Sequence, residues 1–189
     1  MSPLTYETID PTVLPGDLRG LIWALREELA VPAAYYPGFA EWFHKVVLEL
    51  TEGMRGLVLA REQGRIIGVN ILKLHQAENK LCTFWVNPAF RQRHIATALL
   101  DRSLACFGSE SPRITVPQCV LGDFSPFVEQ GRFLPVEAKK GLYRIGETEH
   151  FFRIVNPLSG RQARPTVKLS ARHSSAALAS RCPGGRRRA

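Results

Sequence analysis

Hydrophobic residues in the first fifty positions repeat with the spacing of an α-helix. One apolar stripe consists of Leu18, Leu21, Ile22, Leu25 and Leu29, and a second consists of Phe39, Trp42, Phe43, Val46 and Leu50. Asp17 is suited to cap the first helix, because its side chain can accept a hydrogen bond from an unpaired helix amide. A short apolar segment, residues 4–14, comes before both stripes. The pattern predicts a strand and two helices before residue 51.

From residue 56 onwards the apolar pattern becomes that of β-strands. Residues 56–61 and 65–75 are two nearly continuous apolar runs, joined by a tight turn at Gln63 and Gly64. A second turn, residues 76–79, leads into a third apolar run, residues 81–86. These runs predict three consecutive strands in the middle of the chain.

Helical spacing then returns, and the last apolar segments of the pattern are those of strands. One helix face consists of Ala96, Leu99, Leu100, Leu104 and Phe107. After a break at residues 109–112, the pattern predicts a strand at 113–116, a short helix at 123–130, and closing strands at 132–145 and 149–155. The resulting order, β-α-α-β-β-β-α-β-α-β-β, favours an α/β (α+β) fold with a mixed central sheet flanked by helices.

The turn between the third strand and the following helix, residues 87–94, is polar and basic. The first amides of a helix have no acceptor within the helix, and the helix dipole places partial positive charge there. Arg91 and Arg93 add two full charges. A phosphate or pyrophosphate is the ligand that such a turn favours, although a turn with arginines on a solvated surface explains the same residues.

This segment resembles motif A of the GCN5-related N-acetyltransferases (GNAT). The motif is a strand ending in Val-x-Pro, followed by Arg or Gln, two free positions, Gly, any residue, and Gly or Ala. Here the strand ends with Val86 and Pro88, and the loop runs from Arg91 to Ala96, with His94 in place of the first glycine. The order of the predicted elements over residues 4–157 is also that of the family. The family has in addition a Gly-Phe step after its last helix, and in this chain Arg132 is inserted into that step.

The resemblance implies an acetyl-CoA site and assigns residues to it. By analogy, the pyrophosphate is held by Arg91, Gln92, Arg93, His94, Ile95, Ala96 and Thr97. The peptide groups of Phe84, Trp85 and Val86 line the thioester arm. The implied function is transfer of the acetyl group to an amine by direct attack in a ternary complex. A catalytically silent module that binds CoA or a protein partner is the alternative.

Candidates for the proton-transfer groups are less well defined by the sequence. Family members often use a glutamate near the strand before motif A, which here suggests Glu78, and His75 is a rival because its ordinary pKa lies near neutrality. The family's acidic tyrosine, which protonates the departing thiolate, corresponds in position to Phe127 or Val128, and neither of these can donate a proton. Tyr143, on a closing strand, is the nearest substitute, with core packing as its alternative role.

Selection of the acceptor in this fold usually depends on the loop between the first two helices. In this chain that loop is residues 31–38, with Tyr35 and Tyr36 between two prolines. Two adjacent aromatic rings can form a wall of an acceptor pocket, or they can cap the hydrophobic core. The acidic residues Asp123, Glu129, Glu147 and Glu149 are further candidates for attracting a cationic amine.

The basic charge of the chain is concentrated at its C-terminal end. The net charge is +8, and eight of the 25 basic residues lie in residues 158–189, which contain no acidic residue. The rest of the chain is therefore balanced, with 17 residues of each sign. We expect an N-acetyltransferase domain at 1–157 and a basic, disordered tail at 158–189, which either binds nucleic acid without specific readout or has no partner.

Length and composition fit one domain. With 189 residues and 45% hydrophobic content, the chain can bury one core. It has no apolar run of membrane-spanning length and no signal peptide, so we expect a cytoplasmic protein with no membrane association. Four cysteines without metal-ligand spacing predict neither a zinc site nor a disulfide framework. The expected partner is a small-molecule or peptide amine, and a homodimer is an open alternative.

Overall fold

The computed structural model of the chain describes residues 3–9, 16–75, 78–108 and 110–156. The predicted tail at 158–189, the domain boundary at 157 and residues 10–15 of the first apolar segment lie outside this part of the chain. No helix in the described residues is long and apolar enough to span a bilayer.

Seven strands and five α-helices form the described structure. The strands are β1 Thr5–Ile9, β2 Arg55–Glu62, β3 Arg65–Lys73, β4 Lys80–Val86, β5 Arg113–Pro117, β6 Phe133–Lys140 and β7 Thr148–Ile154. The α-helices are α1 Leu18–Glu28, α2 Ala30–Ala33, α3 Phe39–Thr51, α4 Ile95–Cys106 and α5 Leu121–Glu129. Two short 3₁₀ helices, Pro88–Phe90 and Gln118–Val120, precede α4 and α5.

The predicted order of elements is confirmed, with differences at the ends of the closing strands. Asp17 caps α1 as predicted, since its Oδ1 accepts a hydrogen bond from the Gly20 amide at 2.8 Å. The strand predicted at 132–145 is too long, because β6 ends at Lys140 and Gly141 turns the chain with φ 73°. Tyr143 therefore lies in the β6–β7 loop and not on a strand. The predicted loop 31–38 contains the short helix α2, which the apolar pattern did not reveal.

The strands form one sheet in the order β1-β2-β3-β4-β5-β7-β6. All neighbours are antiparallel except β4 and β5. These two parallel strands are paired only at Lys80 with Arg113 and Leu81 with Ile114. Beyond that point they separate, which leaves a gap in the ladder on the carboxyl side of Leu81.

A bulge in β4 accompanies this separation and changes which residues share a face. Ile71 pairs with Thr83 and Leu72 pairs with Leu81, so Cys82 is the extra residue on β4. Strict alternation predicts Cys82 and Phe84 on one face, and this prediction is wrong. The Cys82 thiol accepts a hydrogen bond from Arg55 on the α3 side, whereas Phe84 packs with Phe127 on the opposite side.

Two hydrophobic cores lie on the two faces of the sheet. On one face, α4 and α5 cover a core that includes Leu99, Leu104, Phe127 and Phe133. On the other, α1 and α3 cover a core that includes Leu25, Val46 and Leu59. Gly68 of β3 lets α4 approach closely, because a Cβ there would lie 2.9 Å from the Leu99 side chain. The fold is thus a mixed sheet with helices on both faces, as the sequence predicted.

Candidate active site

The turn between β4 and α4 has the backbone conformation of an anion-binding loop. Asn87 ends the strand and its Oδ1 accepts a hydrogen bond from the Ala89 amide at 3.1 Å. Gln92 and His94 then adopt left-handed conformations, with φ values of 62° and 59°. Glycine is the usual residue at such positions, so His94 takes the conformation of the glycine it replaces. Its side chain is exposed to solvent.

The amino end of α4 lacks a side-chain cap. His94 occupies the N-cap position and makes no side-chain hydrogen bond to the first turn. The amides of Ile95, Ala96 and Thr97 have no acceptor within the helix, because the first intrahelical hydrogen bond runs from the Ala98 amide to the His94 carbonyl at 3.1 Å. These amides are suited to bind an anion.

The two arginines of the turn are held by carboxylates of other elements. Arg91 Nη1 lies 3.0 Å from Asp123 Oδ2 of α5, and Arg93 Nη2 lies 2.6 Å from Glu62 Oε1 of β2. The hydrogen bond from Arg93 is the main cause that lowers the pKa of Glu62. Asp123 therefore pairs with the turn, which argues against the earlier expectation that it attracts an acceptor amine.

Glu28, a residue that the sequence did not single out, connects α1 to this turn. Its buried carboxylate accepts hydrogen bonds at Oε1 from Trp85 Nε1 at 3.3 Å and from Asn87 Nδ2 at 2.9 Å. Arg65 lies 3.8 Å from Oε2. No sequence signal identified this role, because Glu28 is one of two adjacent glutamates at the end of an amphipathic helix.

The three residues assigned to the thioester arm lie on β4 beside the gap in the sheet. Phe84 is paired with Asn70 of β3, and Trp85 and Val86 are nearly buried at 9% exposure each. On the other side of β4, the pairing with β5 ends at Leu81. From residue 82 onwards, the peptide groups on the edge of β4 that faces β5 are therefore not paired with that strand. Such an edge can bind an extended amide chain.

The two candidate bases from the sequence lie at the opposite end of β4 from the anion-binding turn. Glu78 Oε2 accepts a hydrogen bond from Lys73 Nζ at 2.7 Å. This bond is the main cause that lowers the pKa of Glu78, although partial burial opposes it. His75 is exposed at the end of the strand that precedes this turn. Neither position adjoins the separated part of β4 and β5.

Tyr36 and Tyr143 are brought together from distant parts of the chain. Their rings meet edge to face, with centroids 5.6 Å apart and planes at 82°. Tyr143 is 46% exposed, so core packing does not describe its position. Tyr35 is half-buried beside Tyr36. The α2–α3 connection and the β6–β7 loop therefore meet at this ring contact, and Tyr36 lies in the loop predicted to select the acceptor.

A buried carboxylate, Glu149 of β7, lies near Tyr36. It is 1% exposed, and its Oε2 has no hydrogen-bond partner among the residues that the structure describes. Burial, and after it the charge of Glu147, raises the pKa of Glu149 to about 7, while Lys80 opposes this. Burial and the charge of Glu149 also raise the pKa of Tyr36. The sequence indicated only an acidic region here.

Phe127, which with Val128 is one of the two positions that the resemblance suggests for the family's acidic tyrosine, is part of an aromatic cluster. Its ring stacks on Phe133 with centroids 5.2 Å apart and contacts Phe84 at 5.4 Å. The side chain is 9% exposed. This position therefore packs the core beneath the gap and supplies no proton donor. Nor do the described residues contain a group of three His, Cys, Asp or Glu side chains arranged to hold a metal ion.

Comparison with known proteins identifies the family. Residues 18–113 match the acetyltransferase (GNAT) family. A search among curated proteins gives no match.

Solved structures with this fold include three that cover most of the chain. The ribosomal-protein-S18-alanine N-acetyltransferase from Escherichia coli is 13% identical, with 88% of this chain and 100% of that chain covered and a TM-score of 0.62. Ard1 from Thermoplasma volcanium is 16% identical, with 80% and 97% covered and a TM-score of 0.61. The PaiA N-acetyltransferase from Thermoplasma acidophilum, in complex with coenzyme A, is 17% identical, with 80% and 99% covered and a TM-score of 0.54.

These structures share the fold of this chain, and the family match spans just over half of its 189 residues. The matched region includes β4, the β4–α4 turn and α4, which form the part of the site that is suited to an anion. The protein belongs to the GNAT acetyltransferase family and is an acyltransferase enzyme.

Proposed function

We propose that the protein transfers the acetyl group of acetyl-CoA to an amine acceptor by direct attack in a ternary complex. The observation that carries the proposal is the gap between β4 and β5. Its β4 side leads into the uncapped amino end of α4, and its β5 side ends beside Glu149 and the proposed acceptor pocket at Tyr36 and Tyr143. The β4 side suits an anion, and the β5 side suits an organic acceptor. PaiA, with the same fold, is known in complex with coenzyme A.

The turn after β4 fits the pyrophosphate of acetyl-CoA. Residues 91–97 would hold it, with the amides of Ile95 to Thr97 as donors and Arg91 and Arg93 as charges. Peptide groups of residues 84–86 would bind the pantetheine arm along the open edge of β4. Acetyl-CoA supplies the acetyl group as a thioester. These residues position and polarise it, and neither task requires a special side chain.

Two of the sequence candidates for proton transfer remain remote from this arrangement. Glu78 is ion-paired with Lys73, and a lowered pKa makes a carboxylate a weaker base at neutral pH. His75 lies beyond the same end of β4. Tyr143, in contrast, lines the pocket, and we retain it as a group that orients the acceptor or protonates the departing thiolate. Tyr35 and Tyr36 keep their proposed role as acceptor-binding residues.

A second candidate function, a CoA-binding module without catalysis, is favoured by one observation. By resemblance, Phe127 or Val128 stands in place of the acidic tyrosine of the family, and Phe127 is engaged in the aromatic cluster. Loss of one general acid slows such a reaction by about a hundred- to ten-thousandfold. An enzyme that uses water or Tyr143 as its proton donor would nevertheless turn over.

The experiment that separates the two functions is release of free thiol from acetyl-CoA. The full chain would be incubated with a polyamine, an aminoglycoside, a peptide with a free amino terminus and an aminoacyl-tRNA, each in turn. Thiol release that depends on one of these acceptors is the expected result. Tight binding of acetyl-CoA in calorimetry with no acceptor-dependent thiol would instead establish the silent module.

A further inference from the structure

The buried carboxylate of Glu149 lies where β4 and β5 have already separated. Glu149 pairs with Pro117 at the end of β5, three residues beyond the last β4–β5 contact at Ile114. Directly paired residues on antiparallel strands share a face, and Pro117 lies on the face opposite Val116, which packs under α4. Glu149 therefore faces the α1–α3 side of the sheet, away from the anion-binding turn.

Polar and titratable groups from several elements lie near Glu149. Its charge interacts with Glu147 of the β6–β7 loop, with Lys80 at the start of β4 and with Tyr36 of the α2–α3 connection, and Lys139 is its cross-strand neighbour on β6. Tyr143 and Cys119, which lies in the 3₁₀ helix after β5, are near Tyr36. Lys139 is itself paired with Glu137 at 3.2 Å. Glu149 thus has no ion pair within 4 Å in the described structure.

A second buried oxygen on the same face also lacks a partner. Thr115 precedes Pro117 by two positions on β5, and side chains two apart on a strand share a face. Its Oγ1, like Glu149 Oε2, makes no hydrogen bond within the described residues. Buried polar atoms are normally paired. Two unpaired oxygens on neighbouring strands at one gap therefore mark a place for a polar ligand.

We infer that Glu149 is the group that accepts a proton from the acceptor ammonium, which binds beside the Tyr36–Tyr143 ring pair. The inference deepens the proposed function and rests on it. An ammonium placed there gives one proton to the Glu149 carboxylate. The neutral amine nitrogen then forms a bond to the thioester carbonyl carbon, and the carbon–sulfur bond breaks. The coenzyme A thiolate takes the second amine proton, and Glu149 returns its proton to solvent.

The position of the carboxylate also suits this task energetically. A carboxylate whose pKa is raised towards neutrality is a stronger base than an exposed one, and an ammonium brings the opposite charge that a buried anion lacks. The exposed apolar residues Leu142 and Ile145 flank Tyr143 in the same loop. They suit an acceptor whose amine is attached to an apolar group.

The first test compares a charged acceptor with a neutral one in the variant Glu149→Gln. The probes are the amine of the acceptor panel that gives the fastest thiol release, and hydroxylamine, which is uncharged at neutral pH. We expect kcat/KM to fall at least a hundredfold with the charged amine and less than tenfold with hydroxylamine. Equal losses with both probes, or no loss, would overturn the inference. Glu137→Gln, on the same face of β6 and β7, is the matched control and should change neither rate.

The second test does not depend on turnover. Carboxyl carbon signals of the ¹³C-glutamate-labelled protein would be followed by NMR from pH 4 to pH 9, and Glu149→Gln assigns the signal of interest. We expect one carboxylate to titrate near pH 7, and in Glu147→Gln its midpoint should shift downwards because a like charge is gone. Titration of every carboxylate below pH 5.5 would overturn the inference.

The outcomes distinguish this inference from the proposed function. If the wild-type protein releases no thiol with any acceptor, the proposed function is wrong and the role of Glu149 falls with it. If the wild-type protein is active and Glu149→Gln retains its rate and its pH profile, acetyl transfer stands and the proton is taken by another group.

Discussion

The two halves of the site are built in different ways. The half that suits the cofactor is one continuous segment, residues 84–97, in which a strand, a turn and a helix follow each other. The half that suits the acceptor combines Tyr36 with Tyr143 and Glu149, which lie more than a hundred positions further along the chain. The first can be recognised from sequence spacing, and the second only after the sheet has formed. Variants in each half test this contrast.

The largest effect is expected from the acceptor half, in the pH dependence of stability. The pKa of Glu149 is raised from 4.5 to about 7, so the folded protein retains a proton that the unfolded chain releases. Stability therefore falls as the pH rises from about 4.5 to about 7 and stays low above that, by at most about 3 kcal/mol. In Glu149→Gln the free energy of unfolding in urea should differ less between pH 5 and pH 8. Identical pH dependence in both proteins would contradict the prediction.

The next effect concerns the support of the cofactor half by Glu28, which connects α1 to the turn after β4. Glu28→Ala leaves the Trp85 and Asn87 donors buried without their acceptor, which should cost about 2 kcal/mol in urea unfolding. Glu28→Gln retains an amide oxygen and should cost less than about 1 kcal/mol. The Ala variant should also bind coenzyme A more weakly in calorimetry. Wild-type stability in Glu28→Ala would show that these contacts do not hold the turn.

The cofactor half should respond to the loss of its two arginines. In the double variant Arg91→Ala and Arg93→Ala, the Kd for acetyl-CoA in calorimetry should rise at least tenfold, about 1.4 kcal/mol. The effect is moderated because Asp123 and Glu62 already neutralise part of their charge. Arg26→Ala, an exposed arginine of α1, is the control. An unchanged Kd in the double variant would place the anion elsewhere.

The smallest effect is expected at His94. A non-glycine residue in the left-handed region costs about 1 kcal/mol, so His94→Gly should raise the free energy of unfolding by about that amount. The Kd for acetyl-CoA should stay equal or decrease, because the backbone already has the required conformation. A steep loss of affinity would show that the imidazole contacts the ligand.

The limits of prediction from the sequence can be seen at particular residues. The helices α1, α3 and α4 and the neighbouring strands were predicted, because the spacing of apolar residues along each element shows which of its faces is buried. The bulge at Cys82 was not predicted from the apolar pattern. One extra residue in β4 moves the side chains that precede it to the opposite face of the sheet. The β6–β7 loop was taken for strand because Leu142, Tyr143 and Ile145 are apolar, although they are exposed in the structure.

The sequence by itself determined the element order, the anion-binding turn and the family, because these depend on neighbours along the chain. Only the tertiary structure decided that β4 separates from β5, that Tyr36 meets Tyr143, and that the buried Oε2 of Glu149 has no hydrogen-bond partner in the described part of the chain. The physical reason is that burial and desolvation are properties of the packed sheet. The same glutamate in an exposed strand would be an ordinary acid.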